Sequence, residues 1–100
     1  MFSKIDLIIM ACMYREDRIG KHHGNIENIL KFCVPKEYRD RHRMSKVKKG
    51  MRRLASRGYL ILKQGRFEAF ALTIEGVRVV ERWIDGWSLD QINDAEEQGQ

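Results

Sequence analysis

Two short stretches decide how this 100-residue chain folds: Met51-Arg52-Arg53-Leu54-Ala55-Ser56-Arg57-Gly58-Tyr59-Leu60 and, further on, Leu72-Thr73-Ile74-Glu75-Gly76. The first closes a helix. Val47, Met51 and Leu54 recur at spacings of 4 and 3, which aligns them along one stripe. Ser45 is placed to cap the N-terminus, and Gly58 stands where the chain leaves the last turn. At about 100° per residue, the far side carries Ser45, Lys46, Lys49, Arg52, Arg53 and Ser56, with Lys48 and Arg57 at its edges. The helix has a dry side and a cationic side. Gly50 in its interior costs roughly 1 kcal/mol relative to alanine, which points to a close neighbour there.

Residues 59–63 (YLILK) and 67–72 (FEAFAL) are apolar runs separated by Gln64-Gly65-Arg66, a hairpin signal with Lys63 and Arg66 at its tip. Thr73 then caps a helix expected to run to about Trp87, with Glu75 in its first turn. Its inner stripe is Val77, Val80, Ile84 and Trp87, widened by Val79 and Trp83. A further capping box at Ser88 and Gln91 opens a tail with Asp90, Asp94, Glu96 and Glu97 and no basic residue.

Upstream, residues 5–14 carry Asp6 as their only charge. A membrane span needs about 20 apolar residues, so this run reads as a buried helix capped by Ser3, with Asp6 completing a near capping box. Residues 15–24 (REDRIGKHHG) form a polar connection. Asn25 caps a second helix with Ile26, Ile29, Leu30 and Cys33 on one face, and Pro35 ends it. Residues 35–43 (PKEYRDRHR) read as a loop or a single turn begun by Pro35. One hundred residues, 43% of them apolar, make one small domain, here 1–87, followed by an acidic tail at 88–100.

The order is helix, helix, basic helix, two-stranded hairpin, helix, and both quoted stretches resemble those of winged helix-turn-helix proteins. Residues 51–60 are similar to the end of a recognition helix running into the first wing strand. Leu72-Thr73-Ile74-Glu75-Gly76 resembles the Leu-Thr-x-x-Gly that closes the wing in MarR-like and PadR-like transcriptional regulators. The expected class is therefore mainly α with a small two-stranded β-hairpin, a winged helix-turn-helix. The chain departs from the pattern between its second and third helices, where Val34 to Met44 replace a turn of about 3–4 residues.

The charges point the same way. Formal net charge is +5, but residues 36–66 hold twelve cations against Glu37 and Asp40, while the tail holds only acids. That density suits a polyanion such as duplex DNA. The expected double-stranded DNA contacts are Arg41, Arg43, Ser45, Lys46, Lys48, Lys49, Arg52 and Arg53; the resemblance adds Lys63 and Arg66 at the wing tip. Most would touch phosphates, which carry no base information. The first helix, apolar nearly all round, and the tryptophans of the fourth suggest a homodimer through Phe2, Ile9, Met13, Val79, Trp83, Leu89 and Ile92. The resemblance implies dimerisation through terminal helices as well. Structured RNA and a protein partner in transcription or replication machinery are the alternatives.

No nucleophile with a base at a recognisable spacing and no glycine-rich phosphate loop occurs, so no enzymatic activity and no cofactor are expected. His22, His23, His42 and Cys33 lack metal-ligand spacing, and no metal is expected. Cys12 and Cys33 sit among apolar neighbours and read as reduced core residues of a cytoplasmic protein. No export signal or membrane span is visible.

Overall fold

A computed structural model describes residues 2–86. The chain runs α1 (Lys4–Arg15), β1 (Gly24–Asn25), α2 (Ile26–Cys33), a 3-10 turn (Lys36–Tyr38), α3 (Arg41–Ser56), β2 (Leu60–Lys63), β3 (Ala69–Leu72) and α4 (Ile74–Gly86). It is mainly helical, with one small antiparallel sheet in the order β1-β3-β2. Trp87, Leu89 and Ile92, the Ser88–Gln91 capping box and the acidic tail lie outside the described residues.

The helices start where the side chains predict. Ser3 and Asp6 form a reciprocal capping box at α1, each backbone N–H donating to the other's side-chain oxygen at 3.2 Å. Asn25 accepts from the Glu27 N–H at 2.8 Å to cap α2. The exception is α3. Its cap is Asp40, whose carboxylate accepts from the Arg43 N–H at 2.9 Å, so the helix begins one turn before Ser45. Ser45 is consequently an exposed residue inside the helix. Met44 in that added turn packs against the core, so tertiary burial extends the helix over a run whose charges gave no apolar period.

Two-stranded pairing is also corrected. Gly24 and Asn25 pair with Phe70 and Ala69, adding a third strand beside the hairpin. A two-residue strand inside a His-Gly-rich connection has no alternation to read, so only the contact reveals it. The hairpin strands are shorter than expected: Phe67 and Glu68 belong to the connecting loop, and Phe67 is exposed.

One core gathers Ile9, Met10 and Met13 of α1, Ile29 and Leu30 of α2, Val47, Met51 and Leu54 of α3, Phe70 and Leu72 of β3, and Val80 of α4. Ile9 and Met13 are therefore consumed inside the protomer and cannot contribute to a dimer face, because α2, α3, β3 and α4 together surround α1. Ile84 is 62% exposed and leaves the inner stripe expected for α4. Cys12 and Cys33 are not reduced in this structure. They form a disulfide linking α1 to the end of α2, with Cα atoms 5.6 Å apart across 21 residues. Their apolar neighbours concealed this, since a buried cystine and two buried thiols have the same surroundings. Among the described residues no helix is long and apolar enough to cross a membrane.

Two glycines mark where elements meet. α1 presses on α3 at Gly50, where a Cβ would lie 3.2 Å from the Asp6 carboxylate. At Gly76 a Cβ would lie 2.2 Å from the Tyr59 carbonyl oxygen, so the start of α4 closes on the start of β2 only without a side chain. Gly76→Ala should accordingly lower stability by about 3 kcal/mol, read from urea unfolding; a loss below 1 kcal/mol would show that the two segments separate easily.

Candidate nucleic-acid interface

The buried stripe of α3 (Val47, Gly50, Met51, Leu54) determines what its other side presents. Ser45, Lys49, Arg52 and Ser56 form the line opposite, and all four are exposed. Arg41 and the half-buried Lys48 flank that line on one side. Lys46 and Arg53 flank it on the other, next to the N-terminus of α1. Among the described residues Arg41, Lys46, Lys48, Lys49, Arg53 and Lys63 make no ion pair, although Lys48 lies near enough to Glu68 to favour its ionised carboxylate.

Four other cations have internal duties. Arg39, outside the expected set, donates from Nε to the Val34 carbonyl at 3.0 Å and from Nη2 to the Lys31 carbonyl at 2.8 Å, satisfying the C-terminal end of α2. Arg43 donates to the Glu37 carbonyl, pairs with Asp40 at 3.5 Å and covers the Tyr38 ring, fastening the 3-10 turn to α3. Arg66 stacks over Phe67 in the β2–β3 connection. Arg52 is gripped by Glu68, with Nε at 3.0 Å and Nη2 at 2.6 Å from the two carboxylate oxygens.

Glu68 was not legible as part of this surface. No local spacing links it to residue 52; only the fold of the β2–β3 hairpin back over α3 brings them together. Its backbone is held by the Ile26 N–H, which donates to the Glu68 carbonyl at 2.9 Å. The hydrogen bonds from Arg52 hold the Glu68 carboxyl below the ordinary glutamate range, and Lys48 adds to this. The same contact pushes the Arg52 guanidinium further up.

The remaining sequence-predicted groups divide plainly. Phe2 meets the Tyr59 ring edge-on at 4.8 Å, and Val79 packs against the core, so both are engaged within the protomer. Trp83 is half-buried. Among the described residues no three His, Cys, Asp or Glu side chains come together. No protein-family model, curated protein or solved structure matches the chain.

A carboxyl whose folded pKa is lowered stabilises the fold above its unfolded pKa, and that contribution is lost as pH falls through the folded value. The Glu68 carboxyl should therefore titrate below a free glutamate in side-chain NMR. Arg52→Gln should raise its midpoint; an unmoved midpoint would mean that the pair does not persist in solution.

Proposed function

We propose that this chain is a winged helix-turn-helix protein that binds double-stranded DNA and acts as a transcriptional regulator. α3 is its recognition helix and the β2–β3 hairpin its wing. The observation that carries this reading is the exposed cationic face of α3, directly opposite a fully buried stripe. The helix order and the wing closed onto α4 through Thr73 and Gly76 support it, as do the two sequence patterns that resemble those of MarR-like and PadR-like regulators. An α-helix with such a face fits the major groove, where the cations meet phosphates.

Structured RNA is the second reading, favoured by one feature. The connection between α2 and α3 forms a built element, a 3-10 turn pinned by Arg39 and Arg43, whereas a short turn would suffice for a simple helix pair. Its cations Lys36 and Arg41 would serve either polymer.

Two copies meeting on α4 would place two recognition helices near one DNA turn apart, about 34–36 Å. The outer face of α4 supports such a homodimer: Ile74 is 70% and Ile84 62% exposed, while Arg78 pairs with Glu75 and Glu81 accepts from the Tyr14 hydroxyl within the protomer. Ile84→Glu should give a monomer in sedimentation where the unmodified protein gives a dimer. A monomeric unmodified protein would remove this part of the reading.

Binding to a 30-bp mixed-sequence duplex and to an RNA hairpin, followed by anisotropy, tests the polymer. The six cations without an ion pair among the described residues imply a salt slope of about −5 per protomer on DNA. Lys49→Glu with Arg53→Glu should weaken binding on the order of a hundredfold and flatten that slope by about 2. Unchanged affinity would take α3 out of the interface, and preferential retention of the hairpin would favour RNA.

A further inference from the structure

We propose that Glu68 is a positioning residue that presets Arg52 to read a guanine in the major groove. This rests on the duplex-binding reading above and adds a base identity to it. A guanidinium offers five N–H donors in a planar fork. Glu68 takes the side edge, Nε and one Nη2 hydrogen, at 3.0 and 2.6 Å. The end edge, formed by one Nη1 hydrogen and the second Nη2 hydrogen, stays available. Those parallel donors match the O6 and N7 acceptors that guanine shows in the major groove.

Arg52 is the arginine suited to this. It lies on the central exposed line of α3 with Ser45, Lys49 and Ser56, and its side chain remains 48% exposed despite the pairing. Arg43 is folded onto the 3-10 turn, and Arg53 lies at the α1 edge of the face. Lysines donate as point charges and set no plane. The carboxylate holding Arg52 stands on fixed backbone: the Glu68 carbonyl accepts from the N-terminus of α2, and Ala69 pairs with both neighbouring strands. An arginine held this way loses less rotamer freedom on binding than an unsupported one.

Selection from 30-bp duplexes with a randomised centre tests the assignment, using the unmodified chain, Glu68→Ala, Glu68→Gln and Arg52→Lys, with thermal unfolding confirming that each is folded. The unmodified protein should enrich a shared G·C pair. Replacing that guanine by 7-deazaguanine, which lacks the N7 acceptor, or by adenine should weaken binding, with the adenine exchange costing roughly 5- to 150-fold. Glu68→Ala and Arg52→Lys should bring the ratio of affinity for the selected site over the unselected pool close to one, and Glu68→Gln should retain part of that preference.

An undiminished preference in Glu68→Ala overturns the proposal. So does tighter selective binding by that variant, which would make Glu68 a mask over Arg52. Binding with no G·C preference at any position overturns the guanine assignment and leaves duplex binding standing. Failure of the unmodified chain to bind any duplex overturns both.

Discussion

The junction between α3, the β2–β3 hairpin and α4 is a knot of backbone around Thr73, and the other elements take their places from it. The Thr73 hydroxyl donates to the Gly58 carbonyl at 2.6 Å and accepts from the Gly76 N–H at 3.0 Å. The Thr73 N–H donates to the Tyr59 carbonyl at 3.2 Å. One residue thus satisfies the exit of α3, the entry of β2 and the first turn of α4. The absence of a Cβ at Gly76 lets these segments close. This is the physical content of the Leu-Thr-x-x-Gly pattern: threonine supplies a hydroxyl that works in both directions, and glycine supplies the space. Once the knot is tied, the β2–β3 hairpin lies beside α3, close enough for Glu68 to reach Arg52.

That placement makes the surface selective in its use of charge. A helix with one buried stripe necessarily shows its polar side, and here the polar side is almost wholly cationic. Yet the cations do not act alike. Arg39 and Arg43 organise the turn before α3, and Arg52 pairs with the Glu68 carboxylate from the β2–β3 connection. Charge counting alone would treat them as interchangeable.

The first helix shows the same division between composition and context. Its apolar residues suggested more burial than one protomer could provide. α2, α3, β3 and α4 cover it within the chain, and the disulfide ties it to α2. Apolar surface stays exposed at Ile74 and Ile84 on α4, and also at Phe32, Ile61 and Phe67.

The sequence by itself determined the elements and their polarity. Spacings of 3 and 4 identified the inner faces of α2 and α3; Ser3, Asn25 and Thr73 marked three helix starts; Gly58 marked the exit of α3. These are local signals, set within a turn or two of backbone. The tertiary structure alone decided what depends on distant neighbours. It chose Asp40 over Ser45 as the cap of α3, because Met44 finds the core. It paired Gly24–Asn25 with β3, joined Cys12 to Cys33, turned Ile84 outward and set Glu68 against Arg52. None of these leaves a periodic trace, since each is a contact between residues whose separation along the chain carries no geometric information until the fold brings them together.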